Sequence, residues 1–221
     1  LYEAYFGDAD VFKELYEKYE RATSIKKTKI SAMELFSALV KERAETGRIY
    51  IMNVDHCNTH SSFKDKVYMS NLCQEITLPT KPLTHIDDPE GEIALCILSA
   101  INVGVIKSLD DLEELCELAV RALEEIIDYQ KYPIKAAEIS TKARRSLGVG
   151  YIGLAHYLAK HHVNYADQKA WTMVHDLTEA FQYYLLRASN KLAQERGACE
   201  YFNRTKYSDG ILPIDTYKKD V

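Results

Sequence analysis

Ser70-Asn71-Leu72-Cys73-Gln74-Glu75-Ile76 sets an amide, a thiol and a carboxylate at every second residue. In an extended segment, side chains at i, i+2 and i+4 share one face, so Asn71, Cys73 and Glu75 would point together, neighbours roughly 7 Å apart. Leu72 and Ile76 would point the other way, toward packing. Cys73 can act as a nucleophile if its thiolate is favoured, or exchange a hydrogen atom if a radical reaches it. Glu75 suits a general base for a hydroxyl held beside the sulfur, and Asn71 can orient a hydroxyl or the polar edge of a substrate. The bland alternative is an ordinary thiol between two surface polar residues, because polar-x-Cys-x-Glu is a short pattern.

The elements that must position this stretch read as mostly helical. Phe12, Leu15, Tyr16 and Tyr19 predict a helix over 10–20. Ser31-Ala32-Met33-Glu34 is a capping box, Leu35, Phe36, Leu39 and Val40 continue one apolar face read as core, and Gly47 suits the stop. Ile49 to Val54 reads as a short strand. After the stretch from Tyr68 to Leu78 comes a loop with Pro79, Pro82, Pro89 and Gly91. Ile93 to Ala100 is a compact apolar run that fits a strand buried on both faces. Ser108 can cap a long helix with Leu112, Leu115, Ala119, Leu123, Ile126 and Ile127 on one stripe and Cys116 in its core, ending before Pro133. A helix from about Leu147 to Lys160 and another from Asp167 to a stop at Gly197 follow, and the tail past Ser208-Asp209-Gly210 reads as irregular, broken at Pro213.

Two further patterns invite chemistry. Asp55-His56-Cys57-Asn58-Thr59-His60 crowds imidazoles and a thiol, but lacks the spacing of a zinc site. Gly148-Val149-Gly150-Tyr151-Ile152-Gly153 satisfies GxGxxG, yet the dinucleotide fingerprint needs a preceding strand, and Lys142-Ala143-Arg144-Arg145-Ser146 is basic and polar. The glycines read instead as close-packing positions in a helix.

The chain has 221 residues, enough for one large domain or two small ones, and a formal charge of −5, which argues against a general nucleic-acid binder. The Lys26-Lys27-Thr28-Lys29 cluster reads as a solvated approach to a helix. Five cysteines without a CxxC pair do not make a disulfide framework and fit a reducing, cytoplasmic setting. No signal peptide or bilayer-length apolar run is evident, so no membrane association is expected.

Ser70-Asn71-Leu72-Cys73-Gln74-Glu75-Ile76, followed by Leu78-Pro79-Thr80-Lys81-Pro82, resembles the active-site finger loop of the large, catalytic (alpha) subunit of class I ribonucleotide reductases. So do Thr46-Gly47-Arg48-Ile49-Tyr50-Ile51-Met52-Asn53-Val54-Asp55-His56, Gly91-Glu92-Ile93-Ala94-Leu95-Cys96 and Gly210-Ile211-Leu212-Pro213-Ile214-Asp215-Thr216-Tyr217. The likeness runs end to end and is closest to the aerobic class Ia type. It implies an α/β fold: a helix-rich fragment of the family's ten-stranded α/β barrel, with 1–221 as one unit of that barrel and the finger loop around 68–78.

The resemblance also implies the chemistry. The residue matching Cys73 becomes a thiyl radical that takes the substrate's 3′ hydrogen, the one matching Glu75 takes the 3′-hydroxyl proton, and the one matching Asn71 binds the substrate. Cys96, which alone would read as an inert buried thiol, matches one of two cysteines that reduce the substrate and form a disulfide. Its partner is expected upstream of Leu1. The implied substrate is a ribonucleoside diphosphate, reduced to the 2′-deoxyribonucleotide for DNA precursor synthesis. Implied partners are a small (beta) subunit carrying a di-iron tyrosyl radical, thioredoxin or glutaredoxin as reductant, and a second copy of the full-length subunit. ATP and dNTP effectors, an ATP cone and a C-terminal tail are expected outside the chain. No cofactor or metal is expected in it, and the isolated chain is expected to be inactive.

Two other readings stand beside this one. Cys73 and Glu75 could serve a thiolate-nucleophile enzyme, given a base such as a nearby His to lower the thiol pKa. The amphipathic helices and 16 tyrosines also fit a non-catalytic helical interaction module.

Overall fold

The structure is a computed structural model that describes residues 1–95 and 97–217. The chain divides into two units, Leu1–Pro79 with the segment from Ile211, and Thr80–Gly210.

In the first unit, α1 (Tyr2–Gly7) and α2 (Ala9–Arg21) meet at Asp8. The Asp8 carboxylate accepts from the backbone N–H groups of Asp10 (2.8 Å) and Val11 (3.3 Å), which satisfies donors that the first turn of α2 leaves open. α3 (Ala32–Thr46) starts at Ser31, whose hydroxyl accepts from the Glu34 N–H at 3.5 Å, and stops at Gly47 with φ +64°. Only glycine adopts that angle without a Cβ penalty, so the predicted cap and stop hold for a physical reason. The apolar face of α3 is not core: Met33 is 72% and Phe36 63% exposed among the described residues. The strand expected over 49–54 is also absent. Ile49 gives its carbonyl to the Arg43 guanidinium (2.7 Å) rather than to a neighbouring strand, and Val54 opens a helix, α4 (Val54–His60).

The second unit holds the main core. β1 (Leu98–Asn102) runs parallel to β2 (Gly148–Ile152), with Leu98 opposite Gly148 and Asn102 opposite Ile152. The crossover between them contains α5 (Asp111–Tyr129) and α6 (Lys135–Arg144), and α7 (Leu154–Lys160) and α8 (Gln168–Arg196) follow. Leu112, Cys116, Val120, Leu123 and Ile127 recur every three or four residues and form the buried stripe of α5, while Ile126 turns outward. Leu177, Phe181, Ala188 and Leu192 are the matching stripe of α8. Leu112, Leu158 and Leu177 are fully buried, worth about 1.5–3 kcal/mol each relative to exposure. Ion pairs such as Lys191–Glu117 and Arg121–Glu195, both 2.7 Å, join the rims of α5 and α8, where solvent keeps each worth little.

Three expected boundaries move. The strand expected over 93–100 is shorter and shifted, to 98–102, and its exposed Leu98 shows that it is not buried on both faces. The helix expected over 147–160 is a strand followed by a helix, split at Gly153. That residue has φ +81°, and a Cβ there would lie 2.4 Å from Asn102 Oδ1, so the turn requires glycine. Ser108 does not cap α5 directly: its hydroxyl accepts from the Asp110 N–H (3.2 Å), while Asp111 takes the N–H of Lys107 at 2.7 Å.

The tail is more regular than expected. A 3₁₀ turn over Lys206–Asp209 ends at Gly210, φ +74°. Pro213 starts rather than breaks a helix, α9 (Pro213–Tyr217), because a first-turn residue has no intrahelical partner for its missing N–H. Among the described residues no helix is long and apolar enough to cross a membrane.

Candidate active site

The pleated ribbon that alternation predicts around Cys73 is not formed. The chain instead makes a tight turn: Gln74 N–H donates to the Asn71 carbonyl (3.2 Å), and Gln74 adopts φ +63°. A left-handed residue closing such a turn is usually Gly or Asn, and a side chain there costs on the order of 1–2 kcal/mol. Asn71 forms the base. Its backbone N–H donates to the Ile76 carbonyl (3.3 Å), and its Oδ1 accepts from the Ile76 N–H (3.0 Å). The Ser70 hydroxyl donates to the Asn71 carbonyl at 3.0 Å. Asparagine at the first position of a turn is the signal for this geometry, since its side chain can bond the backbone further on.

The turn sorts the three side chains differently from a strand. Cys73 and Glu75 are exposed on either side of Gln74, and Asn71 is half-buried with its carbonyl oxygen committed to the loop. Leu72, expected to pack inward, is 81% exposed at the tip. Tyr68, three residues before Asn71, lies edge-on to Phe6 of α1, ring centroids 4.6 Å apart.

The other cysteines have different surroundings. Cys116 is fully buried in α5, and desolvation pushes its thiol up to about 11. Burial also raises the Cys199 thiol, and no cysteine among the described residues is disulfide-bonded. Iodoacetamide at neutral pH is therefore expected to label Cys73 in the folded chain and Cys116 only after denaturation. Mass mapping that finds Cys116 labelled first contradicts this placement. Cys96 lies outside the described residues.

Cys57 is half-buried on α4, and His56 and His60 lie one turn apart there, ring centroids 6.4 Å apart. His60 Nδ1 is 3.3 Å from Thr216 Oγ1. Among the described residues no three His, Cys, Asp or Glu side chains are grouped to hold a metal ion. Gly148 and Gly150 lie within β2 and only Gly153 sits in the turn into α7, so the three glycines do not form one phosphate-binding loop.

Sequence reading missed a buried ionic node in the second unit. Glu92, 5% exposed, accepts from Arg144 Nε (3.0 Å) and Nη2 (2.5 Å), with Arg204 Nη2 at 3.2 Å from its other oxygen. Both guanidinium groups lie over the Tyr201 ring, 5.2 Å (Arg144) and 4.0 Å (Arg204) from its centroid. The available signal was an Arg pair closing a helix with no acidic neighbour in sequence: Arg145 likewise reaches Asp128 (2.8 Å) and Glu124 (2.5 Å).

One unit is helix-rich around a small parallel sheet, and the other carries a turn that presents a thiol and a carboxylate. A family model described as the ribonucleotide reductase barrel domain matches residues 1–221, and the chain belongs to that family. It is 61% identical to the ribonucleoside-diphosphate reductase subunit alpha of Haemophilus influenzae, over the whole chain and 30% of that protein. It is 58% identical to ribonucleoside-diphosphate reductase 1 subunit alpha of Escherichia coli and 43% to the subunit alpha of Enterobacteria phage T4, over the whole chain and 29% of each. The chain thus spans about 30% of the length of the curated relatives it matches.

Proposed function

We propose that this chain is the part of a class Ia ribonucleotide reductase alpha subunit that carries the radical cysteine, in a cytoplasmic enzyme that reduces ribonucleoside diphosphates. The observation that carries the reading is the closed turn at Asn71–Ile76, which exposes Cys73 and Glu75 on a family member's chain. The oxidising equivalent comes from a beta subunit with a di-iron tyrosyl radical. Cys73, as the thiyl, takes the 3′ hydrogen: an S–H bond forms as the C3′–H bond breaks. Glu75 removes the 3′-hydroxyl proton and returns it at the end of the cycle, while the 2′-hydroxyl leaves as water with a proton from the cysteine pair. Asn71 holds the substrate hydroxyls with its amide. Two electrons come from a cysteine pair that includes Cys96, which ends as a disulfide, and the 3′ hydrogen returns from Cys73. Thioredoxin or glutaredoxin then reduces the disulfide. A barrel interior shields such a radical from water. Effector binding and dimer formation belong to the rest of the subunit.

Transplantation tests this reading. The chain replaces its counterpart in the Haemophilus influenzae alpha subunit, and the chimera is assayed with that organism's beta subunit and a dithiol. Deoxynucleotide formation is the expected result. A chimera that folds, binds nucleotide and beta subunit, and yet forms none overturns it.

A further inference from the structure

The turn that carries Cys73 is held at a second place, before its own base. Asn58, on α4, uses its side-chain amide as a strand would use a backbone. Its Nδ2 donates to the Val67 carbonyl (2.9 Å), and its Oδ1 accepts from the Val67 N–H (2.9 Å). The remaining Nδ2 hydrogen goes to the Val54 carbonyl one helical turn back (2.9 Å), so the amide cannot swing without losing three bonds. Val67 is fully buried, whereas most of its unit is exposed. α4 is itself tied to α1 by Tyr5, whose hydroxyl donates to Asp55 at 3.0 Å and whose pKa that carboxylate raises. Beyond Val67 only Tyr68, Met69 and Ser70 precede Asn71.

An asparagine on a helix, two-point bonded to an irregular segment nine residues on, is a costly way to satisfy one residue's backbone groups unless the position of that segment matters. We propose that Asn58 is a positioning residue for Cys73: it fixes the stem of the turn through Val67 and so sets where the sulfur meets the substrate. This rests on the reading of Cys73 given above.

The test uses the full-length alpha subunit with its beta subunit, comparing Asn58→Ala, Asn58→Asp and Cys73→Ser. Misplacement of a reacting atom by about 1 Å costs on the order of 100-fold, so N58A is expected to lower kcat by about that factor with KM for the nucleotide within about twofold. N58D has the same volume and keeps the acceptor for the Val67 N–H but loses the donor, so it falls by about tenfold, the equivalent of one lost hydrogen bond. Alkylation of Cys73 in both is expected to change in rate, while Cys116 stays protected. Wild-type kcat in N58D with an inactive C73S overturns the proposal and leaves the reading intact. So does a parallel loss of kcat, affinity and melting temperature with unaltered Cys73 alkylation, which marks a merely structural role. Undiminished turnover in C73S overturns the reading first. If N58A does not fold, N58D decides.

Discussion

Cys73→Ser in the full-length subunit is expected to remove nucleotide reduction, a loss of about 10⁴-fold or more, equivalent to some 5 kcal/mol of barrier. The serine oxygen is smaller than sulfur and holds its hydrogen in a much stronger bond, so it cannot become the hydrogen-abstracting radical under the same driving force. Because Cys73 is exposed, stability should stay within about ±0.5 kcal/mol. That pairing of a large catalytic loss with an unchanged melting curve separates a chemical role from a scaffold role. Substantial turnover in the serine variant, measured as deoxynucleotide formed, would leave the chain a helical interaction module.

Glu92→Ala is expected to have the largest effect on stability. Glu92 and Arg144 are 5% and 7% exposed, and truncating the carboxylate leaves the guanidinium charged, buried and without its main partner. Breaking a buried pair from one side costs about 3–5 kcal/mol, because the desolvation of the remaining charge is no longer offset. Replacing both members with apolar residues of similar volume should recover most of that loss, since the desolvation of the remaining charge is what is expensive. Arg204 tempers the result, as its guanidinium also reaches Glu92 and stacks on Tyr201 at 4.0 Å. Thermal or urea unfolding of single and double variants measures this. A single variant that melts with the wild type would contradict the buried node.

What was legible in the sequence follows the range of the forces involved. Helix starts and stops are local: Ser31 with Glu34, and the positive φ at Gly47, are decided within a few residues, and so they read correctly. The buried stripe of α5 was also visible, because α8 supplies a matching stripe in the same chain. The face of α3 shows the same periodicity, yet Phe36 is exposed, since periodicity reports a face and not the partner that covers it. The short apolar runs failed for another reason. Strand or turn at 49–54 and 70–76 is settled by where backbone groups find partners: Arg43 takes the Ile49 carbonyl, and Asn71 takes the Ile76 N–H. The trio Asn71, Cys73 and Glu75 was recognisable by residue type, but the turn that presents it depends on a left-handed Gln74, which no propensity favours. The pairing of Glu92 with Arg144 spans 52 positions, so the Arg144-Arg145 pair signalled a need for carboxylates without indicating which ones.

The claim on which the account turns is that the sulfur of Cys73 removes the 3′ hydrogen of the nucleotide. Its most direct measurement supplies the full-length subunit and its beta subunit with a ribonucleoside diphosphate carrying tritium at C3′. A primary isotope effect on turnover is expected with the wild type, with tritium retained at C3′ of the deoxynucleotide apart from a small fraction that the Cys73 S–H exchanges with water before returning it, and no release is expected with Cys73→Ser. Tritium release from the serine variant at the wild-type rate would contradict the account.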